Sequence, residues 1–158
     1  MRVGILSDSH GDLEQARRAV EEMGEIDLLV HAGDYYRDAL CLADRFGLEV
    51  KAVVGNCDRG AKGPVEELFE LAGRKVYLTH GHIYGVKQGL LRLHYRAREV
   101  GADIVIFGHT HIPGKEDVDG VLFLNPGSVV WSRLGGKGSY AVLELEERRC
   151  EAAIFELP

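Results

Sequence analysis

Seven residues of this chain are of types that hold divalent metal ions, and all recur at one kind of place. Asp8, His10, Asp34, Asn56, His80, His109 and His111 each stand just beyond a short apolar run. The runs are Val3–Leu6 into SDSH, Leu28–Val30 into HAGD, Val50–Val54 into GNCD, Val76–Leu78 into THGH and Ile104–Phe107 into GHTH. Together the seven offer two carboxylates, one amide and four imidazoles. Such a mixture of oxygen and nitrogen donors suits Mn, Fe, Co, Ni or Zn better than Ca or Mg. Residues i and i+2 of an extended segment face the same side. Asp8 and His10 would therefore reach one ion together if strand geometry persists past Ser9, as would His109 and His111 with Thr110 turned away. Asp34 has two carboxylate oxygens and can bridge two ions. Asn56 adds a neutral oxygen, which limits the negative charge around them.

Those side chains need a frame that brings their segments to one rim. Unbroken apolar runs of this length read as strands buried on both faces. A sixth run, Val121–Leu124, leads into NPGS. Between several runs lie helical patterns. Asp12–Met23 carries Leu13, Ala16, Ala19, Val20 and Met23 on one side and stops at Gly24. Asp38–Phe46 stops at Gly47, and Val86–Val100 at Gly101. Strands alternating with helices predict a layered α/β fold with parallel pairing in its first half. In open sheets of this kind, ligands bind beyond the carboxyl ends of the strands. The second half reads as more antiparallel. Asp119-Gly120 is a hairpin turn, and the last segment folds back around Glu146–Arg149. Glu66–Leu71 fits either a short helix after Pro64 or a strand paired through Gly73 with the Val76 run, and the hairpin is the preferred reading.

Composition narrows the class. The chain has 158 residues, 46% hydrophobic and 28% charged, which predicts one soluble domain spanning 1–158. The net charge of −6 disfavours gripping long nucleic acid through a basic face. It does not disfavour phosphate substrates, because bound metals invert the local field. Three cysteines, Cys41, Cys57 and Cys150, form no CxxC pair, which fits a reducing, cytoplasmic location. The first apolar run stops at Asp8, too early for a signal peptide or membrane anchor.

The ordered set DSH, GD, GNCD, THGH and GHTH resembles the calcineurin-like metallophosphoesterase superfamily. Length, GNCD and NPGS make the chain similar to its small bacterial and archaeal phosphodiesterase branch. The resemblance implies a four-layer α/β/β/α sandwich, with two mixed sheets flanked by helices. It implies two divalent ions, manganese first among the candidates. Asp8, His10, Asp34 and His111 would hold one; Asp34, Asn56, His80 and His109 would hold the other. A hydroxide bridging the ions would attack phosphorus in line with the leaving oxygen. Asp8, Asn56 and His80 would serve the reaction as well as the ions, with Cys57 and Asp58 as further candidates. The wider superfamily has a histidine where this chain has Cys57, thought to protonate the leaving group.

Other residues carry alternatives. His31 and His82 could orient their neighbours, contact substrate or simply pack, and Asp58 could orient its neighbours. His94 with Lys87, Arg92, Arg96 and Arg98 reads as a solvated helix face rather than an anion patch. Asp38 reads as a surface or capping residue. Asn125 and Ser128 belong to a turn in preference to a substrate-facing loop. Val129–Trp131 could be a lid, a fold-back onto the core, or a subunit contact that leaves a homo-oligomer open. The expected partner is a small phosphate ester, phosphodiester before phosphomonoester. The rival reading, a catalytically silent scaffold on the same fold, is disfavoured because all seven ligand positions hold competent residues.

Overall fold

Period-two alternation along the strands divides their side chains between one shared inner core and an outer core on each sheet. A computed structural model describes residues 1–158. Its first sheet runs in the order β10 (Cys150–Glu156), β9 (Ser139–Leu145), β1 (Arg2–Leu6), β2 (Leu28–His31), β3 (Val50–Ala52). The second runs β4 (Glu66–Leu71), β5 (Arg74–Thr79), β6 (Ile104–Ile106), β8 (Val121–Asn125), β7 (Gly114–Val118). Val3, Ile5, Val30, Val76, Leu78, Ile104, Ile106, Leu124, Ala141 and Leu143 form one buried cluster between the sheets. Their sequence neighbours point outward. Leu6, Leu29 and Val142 pack under α1 (Leu13–Met23) and α2 (Tyr36–Phe46), and Tyr77, Val105 and Phe123 under α3 (Leu91–Val100). The result is the four-layer α/β/β/α sandwich, with both sheets mixed.

Several local expectations are corrected. The third helix begins at Leu91 and not at Val86. Gly85 at φ 60° and Gly89 at φ 142° break the helical path, and a short 3₁₀ turn, His82–Tyr84, precedes it. The second helix begins at Tyr36, two residues before Asp38. The second half is less antiparallel than its hairpins suggest, for β5, β6 and β8 run parallel. Glu66–Leu71 pairs antiparallel with β5 through an Ala72-Gly73 turn, as preferred. Val53 and Val54 lie beyond β3, and Phe107 beyond β6.

Glu66 ties β4 to the far side of the second sheet. Its carboxylate accepts from the Tyr77 hydroxyl, from Tyr84 Oη at 2.8 Å and from Arg96 Nη2 at 2.8 Å. Partial burial opposes ionisation, but these three donors outweigh it and hold the carboxyl below its ordinary value of 4.5. A depressed folded-state value means the stabilisation is complete above pH 4.5 and is lost as pH falls through the folded value. Glu66→Gln is expected to cost roughly 1–3 kcal/mol at neutral pH. The wild-type and variant melting curves should converge in acid. A constant difference in melting temperature from pH 7 to pH 3 would count against this account.

Candidate metal centre

All seven candidate ligands stand in loops at the carboxyl ends of strands, four of them central and one, β3, at a sheet edge. Asp8 and His10 follow β1, Asp34 follows β2 and Asn56 follows β3; His80 follows β5, and His109 and His111 follow β6. The strand geometry does not persist into the loops. Asp8 (φ 54°), His10 (48°), Asp34 (57°), His109 (68°) and His111 (58°) are all left-handed. Same-side alternation therefore cannot be what pairs Asp8 with His10 or His109 with His111. Asp and His tolerate this region better than branched residues do, and such strain is sustained only where surroundings over-determine it. Here Asp8 N donates to Gly33 O at 2.9 Å, and Ser128 Oγ to Asp8 O at 2.9 Å.

Three imidazoles converge on one buried oxygen. Asp8 Oδ1 lies 3.1 Å from His111 Nε2, 3.8 Å from His10 Nε2 and 3.9 Å from His80 Nε2, and it has no hydrogen-bond partner. Its twin Oδ2 accepts from Ser7 Oγ and from His109 N. Burial would raise the Asp8 pKa, but His111, His80 and Ser7 outweigh it, so the group stays ionised. A buried anionic oxygen without a hydrogen bond, faced by ring nitrogens, fits a cation.

The second half of the centre is built on His80 and Asp34. His80 Nδ1 lies 2.7 Å from the Ala32 carbonyl, which can only accept, so Nδ1 carries the hydrogen. Its Nε2 then faces Asn56 Oδ1 at 3.0 Å and Asp34 Oδ1 at 3.4 Å. Only a cation or a second proton reconciles that grouping of acceptors. Burial pushes the His80 pKa down, yet Asp34 and Asp8 outweigh it and the net shift is upward. A bound ion would take that proton's place. Asp34 is held well below the usual carboxylate range: burial opposes, while His80 and the backbone N–H of Cys57, 2.9 Å from Oδ1, prevail.

Donor atoms of Asp8, His10 and His111 lie within 4.8 Å of one another, as do those of Asp8, Asp34 and His80. A third such group, His10, Asp34 and Cys57, has a thiol in it. His109 belongs to none of these groups. Its ring centroid is 5.0 Å from that of His80, and burial and the His80 charge lower its pKa to about 4, leaving it neutral.

Glycines let the loops close on one another. Gly33, Gly55 and Gly108 each precede a candidate ligand and lie flat against a ligand, or its partner, from another loop. A Cβ on Gly33 would meet His80 Nδ1 at 2.7 Å, and one on Gly55 would meet Asp34 N at 2.6 Å. A Cβ on Gly108 would meet Ser7 Oγ at 2.0 Å and Asp8 Oδ2 at 2.7 Å.

The remaining polar residues support the loops. Asp58 accepts from Tyr36 N at 2.7 Å and Gly55 N at 2.8 Å, joining the Asp34 and Asn56 loops. Asp38 is buried, not a surface residue. Its Oδ2 accepts from Ser9 Oγ at 2.6 Å and Gly11 N at 3.0 Å. His31 is fully buried and completes this chain. Its Nδ1 accepts from Gly33 N, so Nε2–H points to Ser9 Oγ at 3.0 Å, and burial lowers its pKa to about 4. The sequence offered one signal for this chain, a serine inside Asp8-Ser9-His10, and it was missed. Asn125 belongs to the turn: it donates to Gly108 O at 3.1 Å and accepts from Gly127 N. His82 stands beside the centre, its ring centroid 5.4 Å from that of His80 and 6.1 Å from that of His109. His94 pairs with Asp119 at 3.4 Å and Arg96 with Glu66 and Glu99, so two of the five basic groups of that segment are engaged by carboxylates. Val129 is buried, and the Trp131 ring meets that of His111 in a T-shaped arrangement with centroids 4.7 Å apart while remaining 46% exposed.

Known proteins resemble the chain over nearly its whole length. The chain is 45% identical over 158 residues to a probable metallophosphoesterase, YsnB, of Bacillus subtilis, covering 99% of this chain and 91% of that protein. It is 30% identical to the phosphodiesterase YfcE of Escherichia coli, covering 91% and 88% of the two chains. A predicted phosphoesterase of Streptococcus pneumoniae superposes with a TM-score of 0.83 at 30% identity, covering 98% of this chain and 88% of that one. Residues 1–148 match the calcineurin-like phosphoesterase superfamily domain, and the chain belongs to that superfamily.

Proposed function

We propose that residues 1–158 act as one catalytic domain that hydrolyses phosphodiesters with two divalent ions. Asp8 Oδ1 carries the reading: a buried carboxylate oxygen with no hydrogen bond, faced by three imidazoles. Asp8, His10, Asp34 and His111 would hold one ion, and Asp34, Asn56, His80 and His109 the other. When bound, the ions supply Lewis acidity toward the phosphoryl oxygens and an activated water. Asp34 keeps the two halves in register, Ala32 fixes the tautomer of His80, and Asn56 presents a neutral oxygen. The phosphodiesterase activity of the YfcE relative supports a diester over a monoester. No helix is long and apolar enough to cross a membrane, and all three cysteines are free and exposed. Unpaired exposed thiols support a reducing cytoplasm.

The test is hydrolysis of bis(4-nitrophenyl) phosphate after exhaustive chelation, followed by return of each metal. Activity should vanish on chelation and return with Mn²⁺, with two ions per chain by elemental analysis. Full turnover in metal-free protein would sink the reading.

Cys57 separates leaving groups. Partial desolvation and the Asp34 carboxylate push its thiol pKa up, so it stays protonated. A thiol is a weak hydrogen-bond donor, and a positioned general acid is worth about 10²–10⁴ in rate, chiefly for basic alkoxides. Cys57→Ser should change aryl turnover only modestly, whereas Cys57→His should raise alkyl-ester turnover by about tenfold or more. Loss of aryl hydrolysis in Cys57→Ser would make the thiol a ligand or nucleophile, in keeping with its nearness to His10 and Asp34.

A further inference from the structure

Beside Cys57 the rim of the centre opens into a hollow of about 450 Å³. Arg37, on the first turn of α2, and Arg59 and Lys62, on the loop after β3, line it together with Tyr35 and Tyr36. All three cations are exposed, and the carboxylate among the lining residues is that of Asp58. Both Asp58 oxygens are already engaged by the backbone N–H groups of Tyr36 and Gly55. The lining thus carries three positive charges against one negative, in a chain whose net charge is −6. Tyr35 joins the hollow to the candidate ligands: it is 41% exposed and its ring lies 5.7 Å from that of His10.

A simple phosphodiester has one negative charge, and the centre itself would answer that charge. Three cations set to one side have no partner in such a substrate. They match a second anionic group on one of its two arms, and arginine forks suit phosphate oxygens in particular. An exposed tyrosine between the centre and the cations offers a face on which a flat ring can stack. Outside this lining the chain is net negative, which favours a short ligand over a long polynucleotide.

Resting on the phosphodiesterase reading, we infer that this hollow takes a nucleotide-like arm bearing its own phosphate. The preferred substrate is then a small diester with a second phosphate, held by Arg37, Arg59 and Lys62.

Thymidine 5′-(4-nitrophenyl phosphate), with and without a 3′-phosphate, tests this directly, because the scissile bond is the same in both. In the metal-loaded wild type the 3′-phosphate should lower KM by about tenfold with kcat little changed, and the gain should shrink as salt rises. The triple variant Arg37→Gln/Arg59→Gln/Lys62→Gln should treat the two esters alike while hydrolysing bis(4-nitrophenyl) phosphate at the wild-type rate. Equal KM values in the wild type, or a preference that survives in the triple variant, would overturn the inference. If the wild type leaves bis(4-nitrophenyl) phosphate intact, it is the phosphodiesterase reading that fails. Calorimetric binding of thymidine 3′,5′-bisphosphate then decides about the hollow: binding lost in the triple variant upholds it, and equal or absent binding in both proteins overturns it.

Discussion

His80→Ala and Asn56→Ala should each lower turnover of an activated aryl diester by about 10²–10³, the scale of losing one preorganised charge-stabilising group. The His80 ring is fixed by Ala32 O at 2.7 Å, and its free nitrogen meets the Asn56 amide oxygen at 3.0 Å. Either truncation removes a donor from the same half of the centre. Metal content should fall from two ions per chain toward one, while the far-ultraviolet circular dichroism stays that of the wild type. Compared as metal-free proteins, the His80 variant should melt earlier than the wild type because His80 is buried, and the Asn56 variant should not because Asn56 is exposed. The contrast between the two separates lost chemistry from lost packing. Near wild-type turnover in either variant at saturating metal would show that the second half of the centre is misassigned.

Gly55→Ala should be nearly as damaging, although it removes no functional group. The added Cβ would lie 2.1 Å from Asp34 Oδ1 and 2.6 Å from Asp34 N. A side chain could rotate away, but the backbone nitrogen cannot, so the Asn56 loop or the Asp34 loop must shift. Misplacement of about 1 Å costs on the order of 10²-fold in rate. Both metal stoichiometry and kcat should drop, with Asp34 as the group displaced. Gly114→Ala is the control: a Cβ there meets nothing within 4 Å, and activity should be unchanged. Wild-type metal content in Gly55→Ala would mean that the loops give more easily than their packing implies.

The placement of the candidate ligands after strands was legible because strand ends are marked by abrupt loss of apolar residues. The conformation of these candidates was not. Asp8, His10, His109 and His111 look like extended i, i+2 pairs, and nothing in DSH or GHTH announces four left-handed residues. That conformation is imposed by partners distant in sequence, such as Ser128 on Asp8 O. Asp38 was misread for the same reason: a helix-start aspartate reads as a cap, and its true partners, Ser9 and Gly11, lie on another loop. The Val86 start of the third helix failed because Val86 and Leu90 are apolar for the sake of the α3 core, where Val86 is buried, and not for helical periodicity. The cations of the Cys57 hollow come from two segments, Arg37 from one and Arg59 and Lys62 from the other, so no local motif reveals them.

The candidate ligands come from both sheets: Asp8, His10, Asp34 and Asn56 from the first, His80, His109 and His111 from the second. Ions held there would add a clamp between two layers that meet through an apolar core and a few hydrogen bonds such as that of His80 to Ala32 O. Occupancy would then govern how long the chain survives as well as how fast it works. A ligand that binds only the folded form at a hundred times its Kd adds about 2.7 kcal/mol of stability. In a cell starved of the metal, the same chain would open more often, and proteases that cut the open form would clear it sooner. Metal supply would thereby set the abundance of the protein, not merely the active fraction of a constant pool.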